Sequence, residues 1–548
     1  MAAPQPICIL AHAAWIGSSL NGYRQYRAAL HDPARAQREM LMRCLRLNAD
    51  TRFGRQMGFA GIRDVGDYQR RVPLSRHEDY VPFIDQIKSG ESAILTCQQV
   101  RRLVPTSGST QARKLIPYTD DLHREFNRAI GAWITDIYLR HPSLAGGPAY
   151  WSISPAGCFT PDGESAVPIG FDDDTAYLGG IARRIVARTL AVPAAVRMID
   201  DLESFRYVTL ASLLRARQLR LISVWHPSFL TLLLEPLQRH WNSLLRDISD
   251  GTLSPPTILP VHVNAQLSTH LRPDPTQARR LGALHPADAD AIWPRLRLIS
   301  CWGDGASSNC LDLIRKQFPH ARIQRKGLIA TEGIVTIPWG DAHPLAVRSH
   351  FFEFVTDNDT VLLAHELREG EEYSVVLTTG GGLYRYRLRD RVRVTGFCSR
   401  TPSLTFIGKD DGVADRCGEK LSQGFVAQIL DRVCAHHRLA PAFKLLAPER
   451  SDLGWQYVLY VDQCDTPPAA IAESLETALS ENPHYRYCVT LGQLKPAAVK
   501  RTAPGALRRY VEEMCRRGQR VGEIKLSPLA ITSGWSKIFE CKSMCEEV

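Results

Sequence analysis

From the first residues to about Gly90, apolar side chains recur at helical spacing: the run from Ile7 to Ile16 leads into Tyr23-Arg24 through Arg35, and an amphipathic stretch covers Tyr26 to Leu47. This pattern predicts a helical layer, broken by the polar segment Asn48 to Gly54. From Ala93 to about Phe354 the spacing predicts helices over Leu122 to Arg140, Thr209 to Leu219 and Leu230 to Asp247, alternating with short apolar runs such as the strand Leu296 to Ser300. Alternation of that kind signals α/β layering. The Pro/Gly-rich stretches Ser143 to Pro148 and Ser254 to Pro260 read as loops within this body, because the same alternation resumes after them. Short runs rich in strand formers at Val361 to Leu363, Ser374 to Thr378, Leu383 to Leu388 and Val392 to Thr395, with Gly380-Gly381-Gly382 as a turn, read as consecutive strands and predict a β-rich lobe. Beyond Gly408-Lys409-Asp410-Asp411-Gly412 the pattern predicts a strand over Tyr457 to Val461, a helix over Ala469 to Leu479, a strand over Tyr487 to Leu491 and a helix over Ala506 to Arg516. The predicted organisation is a large N-terminal α/β domain with a β-rich lobe over 1–407, a polar hinge over 408–424, and a small mobile C-terminal α+β domain over 425–548.

Length and composition agree with that division. A chain of 548 residues exceeds what one hydrophobic core usually serves, and 44% hydrophobic with 23% charged residues is ordinary globular composition. The net charge of +10 is dispersed, with no aromatic–basic RNA motif and no zinc-finger spacing, so neither nucleic acid nor an anionic membrane is the expected partner. No lysine or arginine precedes the run from Ile7 to Ile16, which therefore reads as a helix packed on the core, and no other apolar run approaches the roughly 20 residues that cross a bilayer. A cytoplasmic location is expected. The fourteen cysteines include no Cys-x-x-Cys; Cys44, Cys301 and Cys434 sit among apolar neighbours, and neither the Cys541–Cys545 pair nor Cys434 with His436 and His437 makes a zinc spacing.

Three segments carry candidate chemistry. In Thr106-Ser107-Gly108-Ser109-Thr110, between the strand-like Leu103-Val104 and Lys114 to Pro117, the glycine permits close approach. The hydroxyls of Ser107, Ser109 and Thr110 and the backbone N–H groups are then phosphate donors, with Lys114 adding charge. Taken alone, the segment fits an exposed Ser/Thr turn better. Ala330-Thr331-Glu332-Gly333 offers a backbone turn with one carboxylate for a base and a metal. In Tyr384-Arg385-Tyr386-Arg387-Leu388-Arg389-Asp390, an aspartate ends an arginine-rich strand and can accept from ribose hydroxyls, or else pair with Arg387 or Arg391. Arg385 and Arg387 share a strand face, to meet a phosphate or simply to be solvated. No Walker A loop, Gly-x-Gly-x-x-Gly or Gly-x-Ser-x-Gly is present.

The order of these segments, together with Thr51-Arg52-Phe53-Gly54, Ser223 through Leu230, Cys301-Trp302-Gly303-Asp304-Gly305, Phe352-Glu353-Phe354 and Tyr384 through Phe397, resembles the Gretchen Hagen 3 family of acyl-acid amido synthetases, in its bacterial type, over nearly the whole length. The resemblance implies an adenylate-forming architecture like that of luciferases and acyl-CoA synthetases. It also implies ATP and Mg²⁺ as cofactors, and the ligation of a small-molecule carboxylic acid to an amino acid through an acyl-adenylate. It assigns Ser107, Gly108, Ser109 and Thr110 to phosphates, Gly303, Asp304 and Gly305 to the adenine, Thr331 and Glu332 to the nucleotide with Glu332 on Mg²⁺, and Asp390 to the ribose. It places Lys420 and Lys525 where lysines approach the nucleotide, and makes Lys525, Lys420 and Glu332 the catalytic candidates. A monomer is expected, as is common among relatives. Two positions depart from the family pattern: Gln111-Ala112-Arg113 stands before Lys114 where a glycine is usual, and Arg389 stands before Asp390 where a glycine is usual. An acyl-CoA or aryl-CoA ligase, and a degenerate nucleotide-binding relative, are the alternative readings.

Overall fold

The computed structural model describes the chain except for residues 1–4, 107–113, 153–164, 171–188, 305–307, 411–412, 415, 452–453, 463–465, 518, 520–523 and 540–548. It divides into two compact units, the first made of Met1–Trp225, Leu233–Trp302 and Gln317–Phe406, the second of His226–Leu232, Gly303–Lys316 and Ile407–Val548.

The first unit begins with the predicted helical layer. Its helix Pro6–Ala29 ends where Asp32 caps the next, Pro33–Leu47, by accepting from the Arg35 N–H at 3.1 Å, with Pro33 in the first turn, where a missing N–H does no harm. A break therefore falls inside the amphipathic stretch Tyr26 to Leu47, and the second helix ends at Leu47, where the polar segment from Asn48 was expected to interrupt. Strands β1 (Arg102–Pro105) and β2 (Leu115–Tyr118) form an antiparallel hairpin, with Val104 opposite Ile116. From it runs the helix Asp120–Arg140, capped by Thr119, with acids in its first turn and Arg140 in its last, as the helix dipole favours.

A parallel sheet in the order β3 (Ala149–Trp151), β4 (Leu221–Ser223), β5 (Leu298–Cys301), β6 (Arg322–Arg325) follows. Every residue of β4 and β5 is buried, the pattern of strands covered on both faces. The expected helix Leu230 to Asp247 is two helices, Pro227–Leu234 and Leu237–Asp250, because Pro236 cannot continue the first and stands at the start of the second. That expected over Thr209 to Leu219 runs from Leu202 to Arg215, started by the Asp201 cap.

The β-rich lobe is a five-stranded sheet in the order β11-β10-β9-β7-β8, built from β7 (Phe351–Val355), β8 (Val361–Leu363), β9 (Glu372–Thr378), β10 (Tyr386–Cys398) and β11 (Thr401–Lys409). The two strands expected over Leu383 to Thr395 are one, β10, with a register shift against β9 between Arg387 and Arg391. Interruption of the pairing, not of the strand, explains the break in pattern.

In the second unit, after the short paired strands β12 (Val413–Ala414) and β13 (Leu421–Ser422), a sheet in the order β14-β15-β16 forms from β14 (Lys444–Ser451), β15 (Gly454–Val461) and β16 (Leu494–Arg501). Alternation along β15 divides the core: Tyr457, Leu459 and Val461 pack with Ile471 and Leu475, whereas Val458 and Tyr460 pack with Tyr510 and Trp535. The expected strand over Tyr487 to Leu491 is instead the helix Pro483–Thr490; Asn482 caps it, its side-chain oxygen accepting from His484 and Tyr485, and Tyr485 and Cys488, three apart, are its buried residues.

Candidate functional site

The turn 107–113, with Ser107, Gly108, Ser109 and Thr110 and the departure at Gln111, lies outside the described residues, as does Gly305. The stem of that turn is described: the Thr106 N–H donates to the Lys114 carbonyl at 2.9 Å, closing the hairpin beyond Pro105 and Leu115. Beside it, the Leu115 N–H donates to His77 Nε2 at 3.2 Å, and burial pushes the His77 imidazole below its ordinary value. His77 opens the helix His77–Lys88. Glu78 in its first turn is held below the usual carboxylate range, first by its own backbone N–H and then by the charges of Arg389 and Lys114.

Thr331 and Glu332 form the two-residue tip of a hairpin. Ala330 and Gly333 exchange N–H···O bonds of 3.0 and 3.2 Å, Ile329 bridges Ile334, and Glu332 is only 8% exposed. The glycine is required by crowding: a Cβ at Gly333 would stand 2.9 Å from His350 Nε2, and His350 is itself buried between Phe126 and Phe352. The Glu332 carboxylate helps to raise the Tyr386 hydroxyl above its ordinary value, after burial, while Arg389 opposes it. Within one unit, Tyr386 thus feels Glu332, Arg389 and Glu78, and Glu78 in turn feels Arg389 and Lys114, so a series of charged neighbours links the Thr331–Glu332 tip, β10 and the β1–β2 stem.

Asp390 lies on the buried side of β10 with Tyr386, Leu388 and Val392. Arg387 meets Asp359 at 3.4 Å and Arg391 meets Asp357 at 2.7 Å, so both have carboxylates on the β7–β8 turn. Arg389 sits within the irregular stretch at φ +65°, a conformation in which a glycine is unstrained, and its guanidinium is 3.9 Å from Glu78. Arg385 does not share a solvated face with Arg387. It precedes the strand at φ +48°, is 5% exposed, pairs with buried Glu353 at 3.0 Å, and donates to the carbonyls of Gln69 and Val72.

In the second unit Gly303 and Asp304 are buried. Lys420 is exposed at φ +46°, following Glu419, a fully buried carboxylate that accepts from the N–H groups of Arg416 and Cys417 and from the Tyr457 hydroxyl. Lys525 is exposed next to buried Ile524, and its carbonyl accepts from the Tyr510 hydroxyl. Its charge acts on His226, whose imidazole is pushed down to about 3, first by burial and then by Lys525.

Two residues escaped the motif reading. Glu125 and His350 form a buried pair at 2.8 Å that touches both the Thr331–Glu332 hairpin and the triglycine turn. The signal for Glu125 was a carboxylate on the apolar face of its helix, beside Phe126 and three residues after Leu122. His350 gave none.

This architecture is that of the acyl acid amido synthetases. It superposes on the solved structure "AtGH3.15 acyl acid amido synthetase in complex with 2,4-DB" with a TM-score of 0.81 over 95% of each chain, at 20% identity. Models of the GH3 family N-terminal, central and C-terminal domains match residues 22–323, 343–409 and 426–533, and the chain belongs to the GH3 family. It is similar to the probable indole-3-acetic acid-amido synthetase GH3.12 of Oryza sativa subsp. japonica, 27% identical over 70% of both chains. It is similar also to the jasmonoyl--L-amino acid synthetase JAR6 of Nicotiana attenuata, 26% identical over 69% of both.

Proposed function

We propose that this chain is an ATP-dependent ligase that adenylates a carboxylic acid, releases pyrophosphate, and transfers the acyl group to the amine of an amino acid. The observation that carries this reading is the series of charged neighbours, within one unit of a GH3-family fold, that runs from Glu332 at its hairpin tip through Tyr386, Arg389 and Glu78 to Lys114 at the β1–β2 stem. A carboxylate is a poor electrophile at neutral pH; a mixed anhydride with AMP gives it a good leaving group, and positive charge must meet the charge that develops on phosphorus.

Ser107, Gly108, Ser109 and Thr110 hold the phosphates, with Lys114 at the stem. Thr331 sits at the nucleotide, Gly303, Asp304 and Gly305 line the adenine, and Asp390 accepts from the ribose. Glu332 is the Mg²⁺ residue. Mg²⁺ needs only one or two protein carboxylates and takes its other oxygens from phosphate and water, so the single Glu332 carboxylate is enough protein for it. When bound, the metal withdraws charge from the phosphates. Lys420, in the hinge over 408–424, and Lys525, in the small domain over 425–548 that turns on it, are the mobile cations. Flexible point charges follow phosphates through a rotation that a rigid fork does not.

No helix among the described residues is long and apolar enough to cross a membrane. The described cysteines are free thiols, which supports a reducing, cytoplasmic setting, and we read the enzyme as a monomer acting on small molecules. The test is hydroxylamine trapping of the activated acyl group from a panel of acids with Mg·ATP, followed by amino acids or CoA as acceptors. Amide formation without CoA is the expected result; thioester formation alone would make the chain a CoA ligase, and no trapped product with any acid would leave it a nucleotide-binding relative.

A further inference from the structure

The Glu125 carboxylate, on the helix that leaves the β1–β2 hairpin, is buried and has two partners on one oxygen. Oε2 accepts from the Gly380 N–H at 2.9 Å and lies 2.8 Å from His350 Nδ1. The other nitrogen of that ring, Nε2, accepts the Ile334 N–H at 3.0 Å. An imidazole nitrogen that accepts an N–H carries no proton, so the proton is on Nδ1 and is donated to Glu125. The chain of bonds runs from the triglycine turn through Glu125 and His350 to the first residue after the Thr331–Glu332–Gly333 tip.

This series of bonds is enclosed on every side the contacts describe. His350 is fully buried and Glu125 is 6% exposed; the ring packs edge-on against Phe126 and Phe352. Gln37 holds the His350 carbonyl at 2.7 Å, Ser349 Oγ donates to the Glu125 carbonyl, and Thr119 Oγ1 donates to the Gly380 carbonyl at 2.9 Å. A Cβ at Gly380 would stand 3.0 Å from Glu125 Oε1, so both ends of the relay press against glycine backbone. Buried hydrogen-bonded carboxylate–histidine pairs fix a ring's tautomer and direction, and through it whatever the far nitrogen holds. Here that is a backbone N–H two residues from Glu332.

We propose that Glu125 and His350 are positioning residues for the nucleotide: they lock the Thr331–Glu332 tip against the triglycine turn, so that Mg·ATP meets a preset carboxylate. This rests on the reading of Glu332 as the metal residue. In the full chain, Glu125→Ala is expected to speed hydrogen exchange in peptides covering 328–337 and 379–384 without speeding it in peptides of the second unit. It should weaken Mg·ATP binding by calorimetry and lower the kcat of ATP–pyrophosphate exchange, by about 10–100-fold together, with the KM for the acid unchanged within about threefold. Glu125→Gln keeps an oxygen for both donors and should recover most of the loss. If Glu125→Ala does not fold, His350→Phe keeps the ring packing, removes both ring hydrogen bonds, and should show the same local loosening and the same loss.

Full activity and ATP affinity in a folded Glu125→Ala or His350→Phe protein would overturn the proposal, as would exchange raised equally throughout the first unit, which marks a fold-wide role only. Failure of the underlying reading looks different: the unaltered protein would then show no pyrophosphate exchange with any acid, or Glu332→Gln would bind Mg·ATP and exchange normally.

Discussion

Arg389 occupies a left-handed backbone conformation, φ +65°, inside the irregular pairing of β10 with β9, and its guanidinium lies beside Glu78. A side chain there crowds the following carbonyl, at about 1–2 kcal/mol relative to an unstrained residue, whereas glycine loses about 0.5–1 kcal/mol through its greater freedom when unfolded. Arg389→Gly should therefore raise stability slightly, by about 0.5–1 kcal/mol in urea denaturation, and leave pyrophosphate exchange within about threefold. Loss of exchange would make Arg389 a participant in phosphate binding. Lys525 calls for a different measurement. A charge that acts on the transition state lowers the rate when removed and leaves binding alone. Lys525→Ala should slow pyrophosphate exchange by roughly 10²–10³ with ATP affinity by calorimetry little changed; unaltered exchange would return it to an ordinary surface lysine.

The helix Pro227–Leu234 begins at His226, whose Nδ1 accepts the Ser228 N–H at 3.1 Å. The imidazole must be neutral to do so, and burial with the nearby Lys525 charge pushes it from 6.5 down to about 3. The unfolded chain takes up a proton on this ring near 6.5 while the folded chain refuses it until about 3. This contribution to stability is thus fully present above 6.5 and is lost as pH falls toward 3. The loss amounts to at most about 1.4 kcal/mol per pH unit. His226→Asn retains a capping oxygen and no titration, so urea midpoints at about pH 7 and pH 5 should differ less in the variant than in the unaltered chain. Equal slopes would refute the assignment.

At this scale the sequence was legible where one rule decides. The helix Ala506–Arg516 and the strand Val361–Leu363 have the bounds that periodicity predicted. Pro483–Thr490 was misread because Tyr487-Cys488-Val489-Thr490 has strand propensity, whereas Asn482-Pro483 is a helix start and the buried pair Tyr485 and Cys488 has helical spacing. β16 escaped notice because Lys495, Pro496, Lys500 and Arg501 make it polar; it pairs parallel to β15, with its register shifted around Pro496. Of the site, the carboxylate in the Thr331–Glu332 turn was readable, but the pair beneath it was not, since His350 and Glu125 meet across 225 positions of sequence. Arg385 was assigned to a phosphate or to solvent because a strand pattern cannot reveal that Glu353, on a different strand, is buried beside it.

For the whole molecule, the ordered motifs pointed to a family that the domain models and the fold both support, while the acyl acid left no mark. The stretch around Ile222 to Leu233 is too apolar to point to one acid, and its side chains serve the core: Ile222, Val224, Phe229 and Leu230 are all buried. A carboxylate oxygen of the acid attacks the α-phosphorus of ATP, pyrophosphate leaves, and an amine then displaces AMP from the acyl carbon, so that one oxygen of the acid ends on AMP. The direct measurement is to incubate the enzyme with Mg·ATP, an amino acid and a turned-over acid carrying ¹⁸O in both carboxylate oxygens, and to weigh the products. The account predicts AMP bearing one ¹⁸O and an amide retaining the other; label in inorganic phosphate with ADP as product would contradict it.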